Sequence, residues 1–264
     1  MQTNEQLKSI VKEKYGDIAK QSSRGCGCSC DCSDDYTYFN EDYAKQKGYY
    51  PEADLGLGCG IPTQHAQIKE GDTVLDLGSG AGNDVFVARS LVGDSGKVIG
   101  VDMTEEMIAK ARQNQAKLGY KNVEFRFGDI EDMPVADNEI DVIVSNCVLN
   151  LVPDKAKSFK EMYRVLKPGG HFCVSDIVLN GELPAKLKSV AEMYAGCISG
   201  AIQKDEYLCL LQAEGFVEVS VKEDRHILLS NELLAKYLSD EEIDVYRNAG
   251  SSISSITVYG KKYS

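Results

Sequence analysis

The sequence is short of positive charge, of histidine and of long apolar runs, and each shortage removes a class of function. Lys and Arg number 29 against 41 Asp and Glu, a formal net charge of −12. No dense Lys/Arg run appears, which argues against a nucleic-acid partner, since phosphate binding draws its affinity from cations. No stretch approaches the roughly 18 to 20 apolar residues that a membrane helix needs. The opening MQTNEQLKSIVKEKYG also lacks the apolar segment of a signal peptide. A cytoplasmic protein with no membrane partner is therefore expected. His65, His171 and His226 show no metal-ligand spacing, and no internal repeat is present.

Cysteine is plentiful, with nine residues. An odd count in a reducing compartment argues against a complete disulfide framework. Cys26, Cys28, Cys30 and Cys32 alternate with other residues in GCGCSCDCSDD, a tract that cannot pack a core. Their spacing departs from the C-x₂₋₄-C of zinc sites. Cys173 alternates with Phe172 and Val174 in a predicted strand, and Cys209 lies in LCLLQAEGF on a predicted helix; both are expected in the core. Cys59 in LGLGCGIP, Cys147 in VSNCVLNLVPDK and Cys197 in YAGCISGA form a different group, able to converge on a soft ion.

Hydrophobic periodicity predicts a helix over Asn4 to Ala19, carrying Leu7, Ile10, Val11, Tyr15 and Ile18 on one face. The Tyr- and Gly-rich stretch from Tyr36 to Pro62 reads as an ordered loop over a site. From Asp72 the pattern alternates. Strands are predicted at Thr73–Leu77, Val98–Asp102, Val123–Phe127, Ile140–Ser145 and His171–Ile177. Helices are predicted at Asn83–Leu91, Glu105–Leu118 and Lys155–Leu166, with a longer one before Cys197. Such alternation implies an α/β fold, a mostly parallel sheet with helices on both faces. Val217–Val221 and Ser255–Tyr259 add an antiparallel pair at one edge. The expected division is 1–71 as helix, Cys-rich loop and cap, and 72–264 as catalytic domain with an acceptor-binding insertion near 180–205.

VLDLGSGAGND is the most informative string. A buried strand ends at Asp76 and Leu77, and Gly78, Ser79, Gly80 and Gly82 lead into a helix whose free N–H groups suit an anionic group. The spacing lacks the G-x-G-x-x-G interval of dinucleotide sites. Asp76, two residues before the first glycine, suits an ammonium better than a pyrophosphate. Asp102 ends the second strand, where a carboxylate accepts both ribose hydroxyls of an adenosine. Asp129 and Ile130, after the third strand, are placed to bracket an adenine. Met103 and Asn146, beside Asp102 and after the fourth strand, complete the expected cofactor set. Glu105 and Glu106 read as helix N-terminal acids.

Asp72 to about Ile177 resembles the class I, Rossmann-like methyltransferases, and the resemblance implies S-adenosyl-L-methionine as cofactor. SNCVLNLVPDK, GLGCGIP and AGCISGA further resemble the three cysteine motifs of arsenite methyltransferases. That resemblance implies Cys59, Cys147 and Cys197 as catalytic thiols and ligands of arsenic(III). It also implies arsenite or methylarsenite as the small inorganic substrate and a thiol reductant as co-substrate. The family has an N-terminal cysteine pair; here the alternating tract leaves open which of Cys26, Cys28, Cys30 and Cys32 takes part. An organic methyl acceptor and a thiol-based metal binder without turnover are the competing readings.

Overall fold

The computed structural model describes residues 3–21, 43–188 and 200–264. Its strands are β1 (Thr73–Leu77), β2 (Lys97–Asp102), β3 (Val123–Phe127), β4 (Ile140–Asn146), β5 (Leu166–Asn180), β6 (Phe216–Ile227) and β7 (Ser252–Lys262). They form one sheet in the order β3-β2-β1-β4-β5-β7-β6. β1 to β5 pair in parallel, and β7 runs antiparallel to both β5 and β6. The order reverses between β1 and β4, which opens a crevice at their C-terminal ends, the place where such sheets bind ligands.

The described helices are α1 (Asn4–Gln21), α2 (Pro62–His65), α3 (Asn83–Val92), α4 (Glu105–Leu118), α5 (Lys155–Val165), α6 (Ala185–Lys188), α7 (Lys204–Ala213), α8 (Asn231–Ala235) and α9 (Asp240–Asn248). None is long and apolar enough to cross a membrane. On one face of the sheet, α3 and α4 bury Phe86, Ile108 and Ala111 against Val74, Val98 and Val142. Phe86 packs edge-on to Phe125 at 6.1 Å. On the other face, α5 and α7 bury Phe159 and Tyr207 against Ile143, Phe172 and Ile256. Each such side chain contributes roughly 1.5–3 kcal/mol by leaving water. A third cluster gathers Cys59, Cys147, Leu151, Ile177 and Leu179 with Leu234, Leu238 and Ile243 from α8 to α9.

The predicted strands and helices of the parallel half are present, with ends shifted by a few residues. β5, β6 and β7 run longer than their apolar stretches suggested. β7 keeps Ser254, Ser255 and Thr257 buried because their hydroxyls find partners: Thr257 meets Ser175 at 2.8 Å. The long helix expected before Cys197 falls largely outside the described residues; Ala185–Lys188 is helical.

Cys209 corrects its prediction. Cys173 is fully buried, whereas Cys209 is exposed. In α7 the buried positions are Tyr207 and Leu211, one turn apart, and a residue midway between them faces the opposite way. Burial also pushes the Cys173 thiol up to about 12. Alkylation of the native protein with iodoacetamide, followed by peptide mass mapping, is expected to label Cys209 and leave Cys173 unlabelled until denaturant is added.

Candidate active site

The loop after β1 builds the floor of the crevice. Gly78 has φ +66, and a Cβ there would run into Val148, so only glycine lets the two turns meet. The N–H groups of Gly78 and Ser79 donate to the Val101 carbonyl at 2.8 and 3.0 Å, tying the loop to β2. The Gly80 N–H donates to one oxygen of Asp102 at 2.9 Å, and the Thr104 N–H to the other at 2.8 Å. The Asp102 carboxylate is thus aimed by two backbone donors, and lone pairs remain on both oxygens for a diol. Burial holds its carboxyl above the usual range against the pull of these donors.

Above this floor lies a cleft that opens to solvent. Asp76, Asp84 and Asp102 all reach it, and among the described residues none that lines it is Lys or Arg. Asp76 is 3% exposed; burial, then the charges of Asp84 and Asp102, push its carboxyl well up. Buried acids without a cation are costly, and a ligand carrying ammonium and sulfonium charges relieves them. Both the acids and the glycine floor therefore fit S-adenosylmethionine. Met103 and Ile130 line the same cleft.

Asp129 also lines it, with one difference from the expected role. Its Oδ2 lies 2.5 Å from Lys8 Nζ of α1, and its Oδ1 accepts the Glu131 N–H at 2.9 Å. Lys8 also pairs with the buried Glu131. Burial pushes the Asp129 carboxyl up, but the Lys8 hydrogen bond and the Glu131 N–H outweigh it and leave it lowered. Asp129 thus fastens α1 to the cleft, and Val11 and Tyr15 of α1 form part of the wall.

Cys147 stands on the wall of this cleft directly after β4. Its φ is +61, a left-handed conformation rare outside glycine, and its N–H donates to the Ser175 carbonyl at 2.8 Å. Cys59 lies in the same apolar cluster and is 3% exposed. The structure therefore places two of the three predicted thiols in one apolar cluster, with Cys147 also on the cleft wall. Cys197 and the tract Cys26, Cys28, Cys30 and Cys32 lie outside the described residues. Among the described residues, no three His, Cys, Asp or Glu side chains gather as a metal site.

Residues 68–215 match the family model described as a methyltransferase domain. Over 98% of its length the chain is 39% identical to the arsenite methyltransferase of Halobacterium salinarum and spans 67% of that protein. It is 33% identical to the human arsenite methyltransferase over 89% of its length, spanning 64% of that protein. The chain belongs to the arsenite methyltransferase family. Among solved structures, an arsenic(III) S-adenosylmethionine methyltransferase from Chlamydomonas reinhardtii superposes with TM-score 0.66 at 30% identity, over 93% of this chain and 74% of that one. The chain thus spans between about half and two thirds of the length of the curated arsenite methyltransferases it matches.

In this arsenite methyltransferase family member, two site residues escaped the sequence. Tyr43, from the Tyr-rich stretch, is buried, and its hydroxyl lies 2.9 Å from both Asp84 oxygens and 3.0 Å from the Gly60 carbonyl. Asp84 occupies the first turn of α3, where an acid ordinarily complements the helix dipole. Its place two residues after the last loop glycine was the one available signal that it faces the ligand. Asn146, expected at the cofactor, lines the same cleft and also reaches the Cys59 segment. Its Oδ1 accepts the Cys59 N–H at 2.9 Å, and its Nδ2 lies 2.6 Å from the Tyr43 hydroxyl, 2.8 Å from the Gly60 carbonyl and 3.2 Å from Asp84. The glycines beside Cys59 permit this approach: a Cβ on Gly58 would sit 2.7 Å from Asn146 Nδ2, and one on Gly60 2.6 Å from Ser175 Oγ. Ser255 donates to the Cys59 carbonyl.

Burial pushes the Asp84 carboxyl from 3.8 to about 6, against the donors Asn146 and Tyr43. Between these values the folded chain binds more protons than the unfolded one, so this group's stability contribution falls as pH rises through the window and stays low above it. Asp84→Asn is therefore expected to raise the melting temperature of the ligand-free protein, by more at pH 8 than at pH 5. Calorimetry on the same variant is expected to show weaker S-adenosylhomocysteine binding. Equal gains at both pH values would contradict the assignment.

Proposed function

We propose that this protein transfers the methyl group of S-adenosylmethionine to trivalent arsenic held by cysteine thiolates. The observation that carries the reading is the position of Cys147, on the wall of the cleft lined by Asp76, Asp84 and Asp102 and in one cluster with Cys59. Bound in the cleft, the cofactor supplies an electrophilic methyl on a sulfonium. Asp76 holds the ammonium end, Asp102 the ribose hydroxyls, and Ile130 flanks the adenine. Cys59, Cys147 and Cys197 bind arsenite or methylarsenite, a soft ion that prefers sulfur. Three sulfurs leave the arsenic pyramidal with one lone pair. That pair forms the As–C bond as the C–S bond breaks, and the bonding electrons leave with sulfur as S-adenosylhomocysteine. Arsenic becomes pentavalent, and a thiol reductant returns it to the trivalent state.

No general base is needed at arsenic, because a lone pair attacks rather than an O–H or N–H bond. Catalysis then rests on alignment in a dry cleft, a contribution of about 7 to 11 kcal/mol in favourable model systems. Residues 1–71 act as the cap in this reading, with one of Cys26, Cys28, Cys30 and Cys32 delivering the ion. A reducing cytoplasm keeps the thiols available.

The protein, incubated with arsenite, S-adenosylmethionine and a dithiol, is expected to yield methylated arsenic resolved by chromatography with elemental detection. Cys147→Ser and Cys197→Ser are each expected to lower the rate on the order of 100-fold or more, the effect of misplacing a reactant. Equal product from all three proteins would discard the thiol site. No product from a wild type that binds S-adenosylhomocysteine would direct attention to an organic acceptor.

A further inference from the structure

The Asn146 side chain joins two sites that sequence keeps apart. On one side it holds the Cys59 N–H at 2.9 Å and the Gly60 carbonyl at 2.8 Å, pairing with that segment much as a neighbouring strand would. On the other it meets Tyr43 and Asp84, and Asp84 lines the cleft. Its own chain neighbour is Cys147, pinned by the Ser175 carbonyl. The relative placement of the two thiols therefore runs through one amide. The orientation of that amide is fixed by a carboxylate facing the cofactor.

We propose that Asn146 is a positioning residue through which occupancy of the cofactor cleft tightens arsenic binding at Cys59 and Cys147. The inference rests on the thiol site proposed above. The ammonium group of a ligand in the cleft, which S-adenosylmethionine and S-adenosylhomocysteine share, draws the Asp84 carboxylate into one fixed position. Charge-assisted bonds from Asn146 Nδ2 and the Tyr43 hydroxyl then hold the amide in its clamped rotamer. The clamped rotamer presents Oδ1 to the Cys59 N–H and keeps the thiol beside Cys147. Coupling of this kind is reciprocal, so arsenic also tightens the cofactor. Each reactant thereby helps assemble the site for the other.

Arsenite is titrated calorimetrically into the full chain with and without saturating S-adenosylhomocysteine, which has no methyl to give. The ligand is expected to tighten arsenite binding to the wild type by about 5-fold or more. Asn146→Ala is expected to bring the ratio to one whatever the absolute affinities. Tyr43→Phe, which leaves only the 3.2 Å contact between Asn146 and Asp84, is expected to lower it. Hydrogen exchange at the Cys59 amide of the wild type gives a reading free of any folding defect, and it is expected to slow when S-adenosylhomocysteine binds. A ratio retained in Asn146→Ala, or a ratio of one in a wild type that binds arsenite, overturns the coupling alone. A wild type that binds no arsenite overturns the thiol site as well.

Discussion

The amide of Asn146 is the contact on which the arrangement of this site depends, because it stitches the segment before the fold to the end of β4. Cys59 and Cys147 are 88 residues apart in sequence. The clamp joins their segments together with the paired strands β5 and β7, and it needs several small features at once. Gly58 and Gly60 remove the side chains that would block Asn146 and Ser175, and Ser255 of β7 takes the Cys59 carbonyl. Cys147 accepts a left-handed backbone so that its N–H reaches β5. Local strain of this kind persists only where surrounding contacts over-determine it.

The second constraint is electrostatic. Three buried or nearly buried acids face a cleft whose described lining holds no Lys or Arg, an arrangement that weakens the ligand-free protein as pH rises and suits a cationic ligand. The cost is concentrated where the ligand relieves it. Other acids are paired: Asp129, on the cleft wall, and Glu131 meet Lys8, and Arg164 meets Glu161 and Asp137. Asp176 sits buried against the Tyr207 hydroxyl at 3.3 Å, and burial pushes it to about 7. Charge is left without a basic partner at Asp76, Asp84 and Asp102 and is largely paired at the other acids named here.

Much of this was legible in the sequence for simple reasons. Buried parallel strands are continuous apolar runs, and VLDLGSGAG marks the turn that must approach a ligand. The acids Asp76 and Asp102 follow from strand ends, which topology aligns. Tyr43 and Asp84 were hidden because each has an ordinary explanation, aromatic packing for one and the helix dipole for the other. Asn146 lines the cleft as its strand-end position suggests, but its bond to the Cys59 N–H has no signal in the sequence, because the two lie far apart along the chain. Cys209 looked like core because its neighbours Leu208, Leu210 and Leu211 are apolar, but only the face shared by Tyr207 and Leu211 is buried. The polar residues of β7 obscured its length, because buried hydroxyls with partners look like a surface strand in sequence.

The central claim is that Cys59 and Cys147 act together on one arsenic beside the cofactor cleft. X-ray absorption at the arsenic edge tests it most directly, by counting the sulfur and oxygen neighbours of arsenite bound to the protein. The account predicts an all-sulfur shell in the wild type and the loss of one sulfur in each of Cys59→Ser and Cys147→Ser. An all-sulfur shell that survives both substitutions, or an oxygen shell in the wild type, would contradict it.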